Sequence, residues 1–156
     1  MEQYENTIDI KHYLPHRKPM LMVDWILALS NQEVKTVFEI KSENIFVENG
    51  VFAEVGLIEN AAQTCSAIVG QSFFLDENQE VKENVEVIGF ISGIKKVKVI
   101  GLPQVGSTIN TDAILHSRFD TDDYSICTMI CTTFCNDELL FEAEINLFIQ
   151  EKPPMN

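Results

Sequence analysis

Apolar and polar side chains alternate with a period of two over residues 21–29 and 34–40, near the start of the chain. Such alternation indicates β-strands that present one face to a core and the other face to solvent. A turn-forming Ser-Asn-Gln sequence separates the two stretches, so we predict two neighbouring strands. Residues 9–14, before the first strand, are expected to form a short helix that Pro15 ends.

The pattern changes over residues 51–74, where apolar side chains fall on nearly every side of a helical projection. Ala, Gly, Ser and Ile are frequent in this stretch, whose length corresponds to about five or six helical turns. A helix that is hydrophobic around most of its circumference has to be buried on most sides. The sequence therefore predicts one long helix at the centre of the protein.

Period-two alternation returns after the helix and continues almost to the C-terminus. It predicts four more strands, over residues 85–100, 109–115, 124–135 and 139–149. In this element order, a lone apolar helix is buried only if one antiparallel sheet curls around it. The prediction is an α+β protein with a hot-dog fold, a curled antiparallel sheet wrapped around one long central helix. We expect residues 1–151 to form this single domain and residues 152–156 to be a loose C-terminal tail.

The net charge of the chain limits the classes of partner that it is expected to bind. The 156 residues contain 24 Asp and Glu against 11 Lys and Arg, which gives a formal net charge of −13. Because nucleic acids and other anionic surfaces are bound through clustered cations, they are excluded as the main partner. The most apolar N-terminal stretch, residues 20–29, is interrupted by Asp24 and is far shorter than the ~20 residues of a membrane span. We expect a cytoplasmic protein with no membrane span.

Four cysteines raise the question of a metal site. Cys127, Cys131 and Cys135 follow one another at intervals of four residues within a predicted strand, and Cys65 lies in the predicted helix. Strand residues four apart are separated by ~13 Å, whereas zinc holds each sulfur at ~2.3 Å. We therefore predict free thiols, no metal and no cofactor.

Two segments combine polar and charged side chains in a specific order. Residues 14–24 read Leu-Pro-His-Arg-Lys-Pro-Met-Leu-Met-Val-Asp, and residues 56–63 read Gly-Leu-Ile-Glu-Asn-Ala-Ala-Gln. Both resemble the 3-hydroxyacyl-[acyl-carrier-protein] dehydratases of bacterial fatty acid synthesis, which carry L-P-H-R-x-P before the first strand and I-E-A-x-A-Q on the central helix. The resemblance covers nearly the whole chain. The chain is similar in particular to the divergent dehydratase-like proteins of aryl-polyene and flexirubin-type pigment pathways.

The resemblance implies that a His and a carboxylate share the dehydration of a 3-hydroxyacyl thioester. In the family, a His from an H-F-P-G motif removes the α-proton, and the helix carboxylate protonates the departing hydroxyl. Glu59 matches that carboxylate. Its apolar neighbours in the sequence would desolvate it and favour the protonated form that a general acid needs. Gln63 lies one turn later on the same face, and we predict that Gln63, His16 and Gly56 contact the substrate.

The His of this pair is absent from its usual place. Counted back from the helix carboxylate, that place holds Ile45, and no His occurs over residues 17–115. Of the three histidines in the chain, His12 and His116 are expected at the surface. His16 either anchors its loop, which is the role implied by the resemblance, or takes over the missing function.

Three functions remain open on these residues. The first is a dehydratase-like protein acting on 3-hydroxyacyl thioesters of an acyl carrier protein or of coenzyme A. The second is a non-catalytic subunit that stabilises or specifies a His-bearing paralogue. The resemblance also implies sites shared between two subunits, so that in a heterodimer the paralogue would lend its His and this chain would lend Glu59. The third is a hot-dog acyl thioesterase, in which Glu59 activates water or attacks the thioester. In every case we expect a homodimer or a higher oligomer, or that heterodimer.

Three of the eleven cations lie close together, at Lys95, Lys96 and Lys98. A strand face that carries them is suited to an acidic carrier protein, so we predict that carrier docking occurs there. Lysines on an edge strand also protect it against aggregation, and the sequence leaves this alternative open.

Overall fold

The computed structural model describes residues 7–153 as a seven-stranded antiparallel sheet around one long helix. The helix, α1, is Glu54–Phe74. The strands are β1 (Ile8–Asp9), β2 (Trp25–Leu29), β3 (Glu33–Glu39), β4 (Val47–Glu48), β5 (Val51–Phe52), β6 (Val87–Val99), β7 (Thr108–Asp120), β8 (Ser125–Cys135) and β9 (Glu138–Glu151). The order in the sheet is β1-β2-β3-β7-β8-β9-β6, and β4 pairs with β5 in a separate hairpin.

The core lies between α1 and one face of the sheet. On the helix, Leu57, Ala61 and Cys65 are completely buried. On β9 every second residue faces the helix, and the buried set is Phe141, Ala143, Ile145, Leu147 and Ile149. Burying these side chains is the main favourable contribution to folding. The structure thus confirms the predicted α+β hot-dog fold.

The N-terminal helix predicted over residues 9–14 is wrong in extent. The structure has a 3-10 turn, Ile10–His12, directly after β1. Asp9 caps this turn because its carboxylate accepts the backbone N–H of Lys11 at 2.9 Å. Ile8 and Asp9 pair with β2, so this segment extends the sheet by one short strand.

The first predicted strand began at residue 21, whereas β2 begins at Trp25. Asp24 donates its N–H to the carbonyl of Val37 in β3 at 2.9 Å, whereas the backbone of Met20 and Met22 is bonded by side chains of α1. Asn60 Nδ2 donates to the carbonyl of Met22 at 2.7 Å, and Gln63 bonds to Met20 and Met22. The alternating pattern therefore gave neither the start of this strand nor its buried face, because Trp25 is 45% exposed whereas Met22 and Ile26 are completely buried.

The central helix was predicted over residues 51–74 and begins three residues later, at Glu54. Residues 51 and 52 form β5, which turns back onto β4 through Asn49 and Gly50. Both turn residues have positive φ, 53° and 80°, which is the conformation that an Asn-Gly hairpin turn requires. The Asn-Gly pair was the sequence signal for this hairpin.

One edge of the sheet is formed by β6, which pairs only with β9 among the described strands. Several of its large apolar side chains are more than a third exposed: Ile88, Phe90, Ile94, Val97 and Val99. A long apolar edge strand is a template for pairing with another chain.

The C-terminal tail predicted over residues 152–156 lies partly outside the described residues, which end at 153. Lys152 is held to the start of β6, because its backbone N–H donates to the carbonyl of Glu86 at 2.8 Å. Its ammonium group also lies 3.4 Å from the Glu86 carboxylate. Across residues 7–153, no helix has the length and apolar character needed to cross a membrane.

Candidate active site

Glu59 and Gln63 lie one turn apart on α1 and are joined by a hydrogen bond. Gln63 Nε2 donates to Glu59 Oε1 at 2.8 Å. The same amide nitrogen donates to the carbonyl of Met20 at 2.8 Å, and its oxygen accepts the N–H of Met22 at 2.7 Å. Gln63 is 1% exposed, so these bonds are sheltered from water. Gln63 therefore fixes one oxygen of the Glu59 carboxyl group in place.

The Glu59 side chain is 23% exposed. The apolar neighbours of Glu59 in the sequence therefore do not desolvate it completely within one chain. The reason is that this face of α1 borders the open side of a cavity beside β6. Oε1 accepts the N–H of Gln63, whereas no residue in the described range 7–153 hydrogen-bonds to Oε2. The carboxyl group thus has one anchored oxygen and one available oxygen.

His16 approaches Glu59 from the loop that follows the 3-10 turn. Its Nε2 lies 3.7 Å from Glu59 Oε1, close but beyond hydrogen-bonding distance. Its Nδ1 is buried and has no hydrogen-bond partner among the residues that the structure describes. The side chain as a whole is 32% exposed, so the ring is accessible from the side that does not carry Nδ1.

Two features hold the His16 loop against α1. Arg17 Nη1 donates to the carbonyls of Leu14 and His16, both at 2.8 Å, and so closes the loop on itself. Gly70 lets the loop backbone approach the helix closely, since a Cβ at this position would lie 2.6 Å from the carbonyl oxygen of Tyr13. The position of the imidazole therefore depends on Arg17 and on Gly70.

Glu59, Gln63 and His16 line one cavity of about 220 Å³ between α1, β6 and β9. The remaining wall consists of small and apolar residues: Ala62, Ser66, Gly89, Phe90, Ile91, Leu147 and Ile149. The sequence therefore identified three residues that the fold brings together. The cavity is smaller than the about 300–1,000 Å³ of a typical small-molecule site, and it lies beside the edge strand β6.

A smaller cavity of about 40 Å³ continues from the first one along α1. The two share His16, Ser66, Gly89 and Ile149, and Phe74 lies on the wall of the smaller one. Tyr13 also lines it, and burial raises the pKa of this phenol, which therefore stays neutral. Together the cavities form an apolar groove that leads away from Glu59.

The arrangement places an acid and a base beside an apolar groove. A carboxyl group whose Oε1 is held by an amide can present a proton on Oε2. An imidazole nitrogen a few ångströms away can accept a proton. Such a pair suits a reaction that removes one proton and delivers another to neighbouring atoms of the same molecule.

Gly56 does not lie in the wall of this cavity. It is buried at the start of α1 against the ring of Phe52, which would lie 2.5 Å from a Cβ at this position. The contact of Gly56 with the substrate therefore stays a prediction. The small size of Gly56 allows β5 to pack against the helix.

Ile45, at the place of the family's His, is 46% exposed. It lines a separate cavity of about 190 Å³ that also contains Asp24. Burial raises the pKa of Asp24, and the Glu39 N–H that it accepts at 2.8 Å partly opposes this effect. This cavity and the Glu59 cavity have no lining residue in common.

The three lysines of the predicted docking surface are all exposed on β6. Lys95 forms an ion pair with Glu144 of β9 at 3.6 Å. The lysines follow the cavity residue Ile91 along the strand by four to seven residues, and none of them lines the Glu59 cavity.

Asn60 is a supporting residue that the sequence analysis missed. Its side chain donates to the carbonyl of Met22 and accepts the hydroxyl of Thr111 on β7 at 2.6 Å. A buried Asn in an apolar helix was the available signal, because a buried amide needs partners. Asn60 thus fastens the segment before β2 to both the helix and the sheet.

Cys65, Cys127, Cys131 and Cys135 form no disulfide bond in the structure. Cys65 Sγ of α1 lies 3.1 Å from Cys131 Sγ of β8, and both are buried. Burial raises the pKa of Cys65, and it raises the pKa of Cys127 to about 11. Within residues 7–153, no three His, Cys, Asp or Glu side chains are grouped so as to hold a metal ion.

Sequence comparisons show what this chain is similar to. The family model described as ApeP-like, ApeP dehydratase, matches residues 8–155. The 3-hydroxyacyl-[acyl-carrier-protein] dehydratase FabZ of Rickettsia felis is 25% identical over 150 residues, which cover 92% of this chain and 95% of the relative. The FabZ of Psychrobacter arcticus is 28% identical over 149 residues, with the same coverage of 92% and 95%.

Solved structures share the architecture. The dehydratase heterocomplex ApeI:P from Xenorhabdus doucetiae matches with a TM-score of 0.74 and 18% identity, over 94% of this chain and 92% of that one. A hypothetical thioesterase protein with coenzyme A from Streptococcus pneumoniae matches with a TM-score of 0.57 and 10% identity, over 83% and 87%. At these identities the likeness establishes the fold alone.

Proposed function

The chain belongs to the ApeP-like dehydratase family, and we propose that it takes part in the dehydration of 3-hydroxyacyl thioesters, with Glu59 as the general acid. The observation that carries this proposal is the Glu59 carboxyl group, held by Gln63 at the wall of an apolar cavity and facing an imidazole at 3.7 Å. The FabZ relatives, whose names specify carrier-bound 3-hydroxyacyl substrates, support the same substrate class.

The chemistry requires both an acid and a base. The thioester carbonyl makes the proton on the adjacent carbon removable, but hydroxide is a poor leaving group. A carboxylic acid that donates its proton as the carbon–oxygen bond breaks lets the hydroxyl leave as water. Glu59 Oε2 is the atom for this donation, because Oε1 is occupied by the amide of Gln63. Gln63 is thus a positioning residue, and its amide has no free N–H with which to bind the substrate.

We further propose that the active assembly contains two hot-dog chains joined along β6. This strand is the open edge of the sheet, and Phe90 and Ile91 of β6 border the Glu59 cavity. A strand added at this edge would bury the exposed apolar side chains and enlarge the small cavity. The ApeI:P heterocomplex, which shares the fold, supports a dehydratase paralogue as the partner. A homodimer joined in the same way is the alternative.

The carrier of the acyl group is proposed to be an acyl carrier protein, docked at Lys95, Lys96 and Lys98. The three lysines are exposed on the strand that also borders the Glu59 cavity, on a chain that is otherwise strongly acidic. Replacing Lys96 and Lys98 by Glu is expected to raise the KM for the carrier-bound substrate at least fivefold and leave kcat unchanged, because docking is electrostatic. The matched control is Lys82→Glu, an exposed lysine outside β6. An equal KM effect of the control would contradict the docking role.

The test of the proposed function is an assay of water loss from a medium-chain 3-hydroxyacyl carrier protein by mass spectrometry. The purified chain is assayed alone and together with a His-bearing dehydratase paralogue. Glu59→Gln is expected to lower kcat at least 100-fold, whereas Glu83→Gln, in an exposed loop, is expected to have no effect. Undiminished dehydration by Glu59→Gln would overturn the proposal.

The same assay distinguishes the two remaining functions. Release of free carrier thiol that depends on Glu59 would indicate a thioesterase, since a carboxylate beside an imidazole can also activate water. If a paralogue is active and Glu59→Gln in this chain has no effect on the complex, the chain is a structural subunit. Gene neighbourhood adds a separate check, because an adjacent carrier protein and His-bearing dehydratase favour dehydration.

A further inference from the structure

We infer that His16 is the general base of the Glu59 site, so that this chain supplies both catalytic groups itself. The inference rests on the proposed function and adds the source of the base. It differs from the role that the family resemblance implies, in which the base comes from an H-F-P-G motif and His16 only anchors its loop. The observation behind it is the approach of His16 Nε2 to 3.7 Å from Glu59 Oε1, within one cavity.

The other histidines are placed where they have no access to this cavity. His12 is exposed at the end of the 3-10 turn, and His116 is exposed on β7. Neither lines the Glu59 cavity, whereas His16 lines both parts of the groove. Ile45, at the usual position of the base, has an alkyl side chain with no proton-accepting atom. His16 is therefore the histidine of the described residues that reaches the acid.

The geometry also selects the nitrogen that does the work. Nδ1 is buried and out of reach of a ligand in the cavity, so the proton is accepted by Nε2. Nε2 and the Glu59 carboxyl group are close but not hydrogen-bonded, which leaves both free to contact a third molecule. The α-carbon and the hydroxyl oxygen of a 3-hydroxyacyl thioester are separated by one carbon atom, so a closely spaced base and acid can reach both from one side.

The step balances without a cofactor. The lone pair of His16 Nε2 takes the α-proton, and the electron pair of that carbon–hydrogen bond becomes the new carbon–carbon double bond. The bond from the β-carbon to oxygen breaks, and the oxygen leaves as water with the proton from Glu59 Oε2. The products are a 2-enoyl thioester, water, a His16 imidazolium and a Glu59 carboxylate. Transfer of one proton from His16 Nε2 to Glu59 Oε2 through a solvent water molecule restores the starting state.

The experiment uses the complex of this chain with a paralogue whose H-F-P-G histidine is replaced by Ala. We expect this complex to dehydrate a 3-hydroxyacyl carrier protein, because the base is still present in His16. His16→Gln is then expected to lower kcat at least 100-fold and to change KM less than threefold. His12→Gln and His116→Gln, both at exposed positions, serve as matched controls and should leave kcat unchanged.

A chemical readout separates a base from a residue that only shapes its loop. Added imidazole is expected to restore part of the activity of His16→Ala, because a free imidazole can occupy the vacated space and accept the α-proton. It is not expected to restore Glu59→Ala, which lacks the acid. Circular dichroism and thermal melting of each variant check that the fold is intact. An equal response of the two variants to imidazole would overturn the inference.

The outcomes also separate this inference from the proposed function. If only the complex with an intact paralogue is active and Glu59→Gln abolishes that activity, the proposed function holds and the base comes from the partner. If His16→Gln keeps its kcat within fivefold of the unmodified complex, His16 is not the base. If no assembly dehydrates the substrate, the proposed function fails, and the inference about His16 fails with it.

Discussion

Gln63 joins three parts of the protein through one side chain. Its amide nitrogen donates to Glu59 Oε1 and to the carbonyl of Met20, and its oxygen accepts the N–H of Met22. All of these bonds are formed by a side chain that is 1% exposed. A buried amide that loses its partners is costly, so the residue is fixed by stability as well as by its effect on Glu59.

Replacing Gln63 by Met removes these bonds with little change in side-chain volume. We expect the free energy of unfolding to fall by about 2–4 kcal/mol, because buried backbone groups of the segment before β2 lose their partners. We also expect kcat to fall, since Glu59 is no longer oriented. Urea denaturation and the dehydration assay measure the two effects. Gln71→Met, on the same helix near its end, is the control and should change stability by less than about 1 kcal/mol.

The buried thiol of Cys127 is expected to make the free energy of unfolding depend on pH in the alkaline range. Burial raises its pKa from the ordinary 9.0 to about 11, so the folded chain keeps a proton that the unfolded chain releases. Between these two values the unfolded state binds fewer protons, and the free energy of unfolding therefore falls as pH rises. Chemical denaturation at pH 8 to 11 is expected to show this loss. For Cys127→Val, the free energy of unfolding is expected to fall less steeply with rising pH. An unchanged slope in the variant would assign the loss to other groups.

At the scale of elements, alternation predicted most strands well, and in β9 it also gave the side chains that face the core. It located the ends of β6, β8 and β9 to within two residues, whereas β7 runs five residues beyond its predicted end. It did not locate the start of β2, since the backbone at Met22 is bonded by Asn60 and Gln63, and bonding to β3 starts at Asp24. Side-chain-to-backbone bonds between distant residues leave no periodic signal in a sequence.

Only part of the candidate site could be predicted from the sequence, again because contacts between distant residues leave no periodic signal. Glu59 and Gln63 are one turn apart on a helix, so local geometry already placed them together. The contact between His16 and Glu59 joins residues that are far apart in sequence, and only the folded loop brings it about. Likewise, the sequence does not show why position 70 of α1 is a glycine, because the reason is the close approach of the Tyr13 backbone to the helix.

Gly70→Ala tests this approach of the loop to the helix. Alanine normally stabilises a helix by about 1 kcal/mol relative to glycine. Here its Cβ would lie 2.6 Å from the backbone oxygen of Tyr13, so we expect a net destabilisation of about 1–3 kcal/mol and a lower kcat, as the His16 loop is displaced. Gly93→Ala is the control, because its nearest contact would be an ordinary 3.7 Å. Thermal melting of both variants shows whether each substitution stabilises or destabilises the protein.

At the scale of the whole molecule, the sheet has an open apolar edge at β6 next to the candidate site. Ile94 and Val99 are 44% and 37% exposed on this edge. This exposure is unfavourable for an isolated chain and is relieved by pairing with a second chain. The functional unit of this protein is therefore proposed to be larger than the single chain.

Charges introduced at the edge test this proposal. Ile94→Lys combined with Val99→Lys is expected to shift the protein from an oligomer to single chains in size-exclusion chromatography with light scattering, because charge at an apolar interface prevents its desolvation. Ile114→Lys, at a 47% exposed position of β7, is the control and should leave the oligomer intact. An unchanged mass for the edge variant would place the interface elsewhere.

The bonds from α1 to residues 20–22 also determine how this region opens in solution. The Met22 N–H lies outside every strand, yet it is buried and donates to a side chain of the central helix. Its release requires Gln63 to leave the core, so its exchange with deuterium should be as slow as that of the helix interior. Hydrogen-exchange mass spectrometry is expected to show this residue protected within a segment that otherwise exchanges as a loop. The segment before β2 and the central helix are then expected to open as one cooperative unit.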